Sequence, residues 1–228
     1  MTRENKTADQ LVALTGTNDY GRLASSYEAL ANFFSAGRIR AVKKAQLADL
    51  RAHDRVLYAG AGGGEDAVMA AQAGARVTVL DLSPKMLAQA ERRFRREGVH
   101  EGIELIVGNV LLHRPANPYD VVCANFFLNV FSRSVMREVL SHLRTLVRPG
   151  GRLLIADFAP AEGSFPLRLA RQAYSVASSL SCCLLAGNAV HAGYDYREDL
   201  APAGLRLERT TLCGPFYCTL TARAGGAA

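Results

Sequence analysis

The chain has 228 residues, a formal charge of +6 and 49% apolar content, enough for one sizeable domain or a domain with a small subdomain. No apolar run is long and charge-free enough to span a bilayer, and the nearest, 173–189, is broken by serines, a glycine and an asparagine. The start MTRENKTADQ has no apolar signal core, and cysteines 123, 182, 183, 213 and 218 show no CxxC spacing. A disulfide framework, a zinc site and secretion are therefore not expected, and a reducing cytoplasm is.

Along the chain, residues 1 to about 8 read as disordered. From Asp9 to Leu50 the pattern is helical, with Leu23, Tyr27, Leu30 and Phe34 at i, i+4, i+7 and i+11. Apolar strand-like runs then alternate with helical ones. RVLYAG (55–60) leads into a helix over about 64–73. RVTVLD (76–81) leads into a helix opened by Ser83-Pro84, a cap and a first-turn proline. In that helix Leu87, Ala90 and Phe94 form the apolar stripe, so the run Arg92–Arg96 falls mostly on the solvated face. IELIVG (103–108), YDVVCAN (119–125) and RLLIADF (152–158) are three further strands. A helix over about 132–147 precedes the last of them, followed by the turn Arg148-Pro149-Gly150-Gly151. Such alternation predicts parallel strands joined by right-handed crossovers, in an open α/β sheet with helices on both faces. Residues 164 to about 190 read as a helix rich in small residues. LRLERTTL (205–212) and PFYCTLTAR (215–223), parted by Cys213-Gly214, are a hairpin. Seven strands result.

In such sheets ligands lie beyond the carboxyl ends of the strands, which here assembles the site from Tyr58–Gly64, Asp81, Asn109 and Asn125 with Phe126. Gly60 and Gly62 begin a glycine-rich turn, but the third glycine of a dinucleotide fingerprint would fall at 65, where the chain has Glu65 followed by Asp66. Two carboxylates on a first helical turn oppose a pyrophosphate and suit a cationic ligand; they also complement the helix dipole. Asp81, at the end of the second strand, is placed to accept from ribose hydroxyls.

Together these segments resemble a class I S-adenosylmethionine-dependent methyltransferase. The resemblance rests on Gly60-Ala61-Gly62-Gly63-Gly64, VTVLDLSPKMLAQA, the GNV after the third strand, YDVVCAN and LVRPGGRLLIADF, in the family's order. YGRLASSYEAL resembles the entry segment of the family's quinone- and small-molecule-methylating branch, the ubiquinone/menaquinone C-methyltransferases. The family's fold implies a seven-stranded, mostly parallel Rossmann-like sheet with a C-terminal antiparallel hairpin. An N-terminal helical lid over 1–50 would cover a catalytic domain over 51–228, with a substrate-side insertion at about 160–200. S-adenosyl-L-methionine is the implied cofactor. Its contacts would come from Tyr20, Tyr27, Tyr58, Gly60, Ala61, Gly62, Gly64, Glu65, Asp66, Asp81, Leu82, Met86, Asn109, Val110, Asn125 and Phe126. Leu82 and Met86 would pack near the adenine, and the Asn109 amide oxygen would accept from its amino group. The family usually has an acid at the position of Tyr58; Glu65 or Asp66 is expected to take over its charge.

Methyl transfer is an in-line displacement that mainly requires alignment and exclusion of water, so no triad is needed. His191, Asn125 and Tyr194 are the expected catalytic-side residues. Tyr20, Tyr27, Phe126, Asn129 and Tyr196 are further candidates toward the acceptor. The acceptor is expected to be small and lipophilic or aromatic, with no nucleic acid as partner. The [DN]PPY run of base-amino methylases is absent, the chain reading Asn125-Phe126-Phe127-Leu128. An RNA or protein methyltransferase, or a cofactor-binding protein without methylation, are the alternatives.

Overall fold

The computed structural model describes residues 37–186 and 193–225, without the side chains of 179–186. Its centre is a seven-stranded sheet in the order β3-β2-β1-β4-β5-β7-β6. The strands are β1 (Arg55–Ala59), β2 (Arg76–Asp81), β3 (Ile103–Val107), β4 (Tyr119–Asn125), β5 (Val147–Phe158), β6 (Leu205–Leu212) and β7 (Tyr217–Ala224). β1 to β5 run parallel, and β7 enters antiparallel between β5 and β6. Chain order reverses between β1 and β4, which makes their carboxyl ends the switch point where ligands of such sheets bind.

The helices are α1 (Arg38–Ala45), α2 (Glu65–Gln72), α3 (Pro84–Arg96), α4 (Arg133–Leu146), α5 (Phe165–Ala186) and the short α6 (Arg197–Leu200). The strands alternate their side chains between two cores. Leu57 and Ala59 join the core covered by α4, where Val135, Met136, Val139, Leu140, Leu143 and Leu146 are buried. Val56 and Tyr58 join the opposite core, covered by α2 and by Leu87, Ala90 and Phe94 of α3. Ser83 caps α3, its hydroxyl accepting from the Met86 amide, with Pro84 in the first turn. Among the described residues no helix is long and apolar enough to cross a membrane.

Two segments differ from the sequence reading. The expected turn at Arg148–Gly151 lies inside β5, which starts at Val147. A register irregularity between Tyr119 and Val121 absorbs the extra residues, and a side chain at Gly151 would stand 2.7 Å from the Asp120 carbonyl. Within the 160–200 segment the one-turn helix α6 was not anticipated. It is held by Asp199, buried, which accepts from Arg137 at 2.6 Å. Of the expected lid only residues 37–50 are described, and they are fastened to the sheet. Thr221 Oγ1 donates to Asp49 at 2.9 Å, Arg209 pairs with the same carboxylate, and Arg152 donates to the Asp49 carbonyl.

Candidate active site

At the switch point the glycine loop leaves β1 and enters α2. Gly60, Gly62 and Gly64 all have left-handed φ, of 89°, 47° and 74°, which L-residues adopt only with strain. Their missing side chains mean different things. A Cβ on Gly64 would lie 2.7 Å from the Phe94 ring, and one on Gly60 would lie 3.0 Å from Phe127. Both glycines are therefore packing requirements. Gly62 is exposed, and its nearest neighbour would be Lys43 Nζ at 3.9 Å. It is the glycine that leaves room for a ligand.

Asp81 ties this loop to β2. One carboxylate oxygen accepts the Ala61 amide at 2.7 Å and the other accepts the Ser83 amide at 2.8 Å. Burial raises its pKa, against the lowering effect of these two amides. A carboxylate has about four acceptor positions, so two remain for ribose hydroxyls. The loop and Asp81 thus form one unit. Leu82 and Met86, both part-buried, follow on the same side. Asn109 caps a short 3-10 turn, its amide oxygen accepting from Leu111 N at 3.0 Å, and Val110 is buried in the core. The oxygen expected to serve the adenine amino group is thus already used once.

Tyr58 is 4% exposed and points into the α2–α3 core, where its hydroxyl donates to the Asp66 carbonyl at 3.2 Å. Burial, first, and the nearby Cys123 and Asp66 hold its pKa well above the ordinary tyrosine value, so it stays neutral. The two acids after the loop have distinct fates. Glu65 pairs with the exposed Arg40 at 2.8 Å. Asp66 is buried, faces Lys43 Nζ at 3.5 Å and accepts from Asn125 Nδ2 at 2.9 Å. The other Asn125 amide atom, Oδ1, is buried and accepts no hydrogen bond among the described residues. Asn125 therefore links the carboxyl end of β4 to the first turn of α2.

Beyond Asn125 the site turns aromatic. Phe126 has φ of 51°, a left-handed conformation rare for a bulky residue and typical of functional sites. This places its ring edge-on to Phe158 and Tyr217, at centroid distances of 5.9 and 5.8 Å. Tyr174 of α5 stacks on Phe216 at 4.5 Å, and its hydroxyl lies 2.6 Å from that of Tyr217. Ile39 and Val42 of α1 complete the cluster.

Tyr194 lies elsewhere along the same edge, donating to the Phe131 carbonyl at 3.0 Å beneath the Arg133 guanidinium. Tyr196 is fully buried and donates to Asp157 at 2.6 Å; Asn129 donates to the same carboxylate at 2.8 Å. The Tyr196 bond pins the 193–200 segment to β5. Tyr20, Tyr27 and His191 lie outside the described residues.

The sequence reading missed Lys43, Phe158, Tyr174, Phe216 and Tyr217. Lys43 had a detectable signal: Ile39, Val42 and Lys43, continued by Gln46 just past the helix, follow i, i+3, i+4, i+7, the inward face of α1. The aromatic residues come from β5, α5 and β7, and only the closed sheet brings them together.

Residues 56–151 match the model of the methyltransferase domain family. With the loop, Asp81 and the strand order above, that match identifies residues 56–151 as a methyltransferase domain. The chain carries a class I S-adenosylmethionine-dependent methyltransferase domain. Among curated relatives it is similar to the ubiquinone/menaquinone biosynthesis C-methyltransferase UbiE of Sinorhizobium fredii, 30% identical over 151 residues, 63% of this chain and 58% of that one. It is also similar to the ribosomal protein L11 methyltransferase of Thermus thermophilus, 31% identical over 116 residues, 51% of this chain and 43% of the relative. The chain thus spans about half the length of these relatives. An O-methyltransferase family protein from Burkholderia thailandensis shares the methyltransferase fold, with a TM-score of 0.71 at 22% identity over 91% of this chain and 61% of that one.

The residues present fit the cofactor that this methyltransferase family uses. Gly62 leaves a bare approach to the loop, Asp81 keeps acceptor capacity, and the buried Asp66 offers negative charge.

Proposed function

We propose that the domain transfers the methyl group of S-adenosyl-L-methionine to a small lipophilic or aromatic acceptor in the cytoplasm. The observation that carries this reading is the wall of rings directly beyond Asn125: Phe126, Phe158, Tyr174, Phe216 and Tyr217. Aromatic side chains offer broad apolar surface with defined ring geometry, which suits a planar acceptor. When bound, the cofactor supplies a methyl carbon activated by its positive sulfur. Asp81 binds through its remaining acceptor positions, Gly62 admits close approach, and Asn125 stands between the cofactor side and the rings.

The Tyr174–Tyr217 hydroxyl pair is a hydrogen-bonding group rather than a base. Burial, then the bond to Tyr174, hold the Tyr217 phenol above its ordinary value. Proton removal from an acceptor hydroxyl falls to His191 in this reading, while Tyr194 shapes the edge of the pocket. A protein acceptor is the second reading, favoured by the similarity to the ribosomal protein L11 methyltransferase.

Incubation of the full chain with S-adenosylmethionine separates the two readings. Hydroquinones, catechols and phenols form one panel, and ribosomal proteins the other, with mass spectrometry of both products. Methylated small molecule accompanied by S-adenosylhomocysteine is expected. Methylation of protein alone would replace the first reading with the second, and no turnover with any acceptor would remove both.

A further inference from the structure

The family's usual acid at the end of β1 is missing, yet the site has not lost its negative charge. Asp66 brings a carboxylate to the neighbouring first turn of α2, and Tyr58 steadies that turn by donating to the Asp66 carbonyl. Opposite stands Lys43, whose side chain is only 13% exposed and whose ammonium lies over the open face of Gly62.

The two ion pairs joining α1 to α2 invert the order expected of structural pairs. Arg40–Glu65 is the outer pair and closes to 2.8 Å. Lys43–Asp66 is the inner, more buried pair and stops at 3.5 Å. Burying two charges costs several kcal/mol per ion and is recovered only through good geometry and further hydrogen bonds. A pair kept for packing would close. Beside it, Asn125 Oδ1 is a buried acceptor with no donor among the described residues. The cluster thus holds a loosely paired cation, an anion shared between Lys43 and Asn125, and an acceptor without a donor among the described residues, at the crest of the glycine loop.

We propose that Lys43 and Asp66 form a clamp for the zwitterionic amino-acid end of the cofactor, Lys43 taking its carboxylate and Asp66 its ammonium. This rests on the cofactor reading above and goes beyond it, because it assigns the missing acid's role to a helix residue and adds a cation from α1. The clamp is specific for ligands that carry both charges. Arg40 and Glu65, paired with each other at the outer edge, take no part.

The test is calorimetric titration of the full chain with two ligands that share the adenosine and thioether. S-adenosylhomocysteine carries the amino-acid group and 5′-methylthioadenosine lacks it. The wild-type protein is expected to prefer the first by about 10- to 100-fold, the worth of one or two charge-assisted hydrogen bonds. Lys43→Met and Asp66→Asn should each cut that preference to within a few-fold and leave methylthioadenosine binding unchanged, which also reports that the variants fold. If Asp66→Asn does not fold, Lys43→Met is titrated with decarboxylated S-adenosylhomocysteine, and equal affinity for the two homocysteine ligands is expected.

Full preference retained in Lys43→Met, or tighter S-adenosylhomocysteine binding there, would overturn the clamp. Equal wild-type affinity for both ligands would overturn it too while leaving the cofactor reading intact. Silence from both ligands would remove the cofactor reading and the clamp with it.

Discussion

On the β1–β2 side, the site is made of backbone: left-handed glycines, amide donors on Asp81, and a loop tied to the next strand by the 2.7 Å bond from Ala61. On the β4–β5–β7 side it is made of rings, held by edge and stacking contacts among Phe126, Phe158, Tyr174, Phe216 and Tyr217. Backbone positions are dictated by conformation and tolerate little change. Ring positions are dictated by volume, and one wall can be rebuilt in many ways. A cofactor common to a whole family suits the first kind of wall, and an acceptor that differs between members suits the second.

The largest effect should separate two glycines of the backbone wall. Gly64→Ala adds a methyl 2.7 Å from Phe94 at a left-handed φ and is expected to cost about 2–4 kcal/mol in urea unfolding. Gly62→Ala has open space around it and should cost only about 1–2 kcal/mol, the price of its φ, while weakening S-adenosylhomocysteine more than stability implies. Equal destabilisation by the two would show that the packing distinction is wrong.

Next in size, Asp81→Asn keeps the shape but loses one of the two carboxylate oxygens. S-adenosylhomocysteine affinity should fall about 10- to 100-fold by calorimetry, through loss of charge-assisted bonds to the ribose. On the other wall, Phe126→Ala should raise the acceptor KM about tenfold, equivalent to ~1.4 kcal/mol of lost ring contact, with cofactor affinity unchanged. Cofactor loss with no change in acceptor KM would move Phe126 to the backbone side.

The smallest effect lies away from both walls. His113 and His142 have pKa values lowered from the ordinary 6.5, chiefly by burial. The native state therefore binds fewer protons than the unfolded chain as pH falls through 6.5 toward the lowered values. Stability should be full above 6.5 and drop across that window. His142→Gln should flatten the low-pH part of the Tm profile, and an unchanged profile in both His142→Gln and His113→Gln would refute the assignment.

The fold was largely legible in the chain because its signals are local. Apolar runs bounded by turn residues located all seven strands, and Ser83-Pro84 marked the start of α3 to the residue. The position of Asp81 beside the glycine loop was legible because it follows from one loop and one strand end. Tyr58 was only half legible. Its departure from the family acid was visible, but which of the two consecutive acids, Glu65 and Asp66, turns inward was not. The Arg148–Gly151 segment reads locally as a turn, but it lies as an irregularity inside β5, between Val147 and Arg152, which pair with Tyr119 and Val121 of β4. Phe216 and Tyr217 read as hairpin residues and gave no hint of the rings they meet.

By itself the sequence determined the alternation of strands and helices, the order of the family's motifs and the glycine-rich turn, because each is written in residues near one another in the chain. Only the tertiary structure decided that Asp66 faces Lys43 while Glu65 faces Arg40, that Gly64 serves Phe94 while Gly62 stays open, and that rings from β4, β5, α5 and β7 form one wall. Those outcomes depend on distances between segments far apart in the chain, which exist only once the sheet has closed.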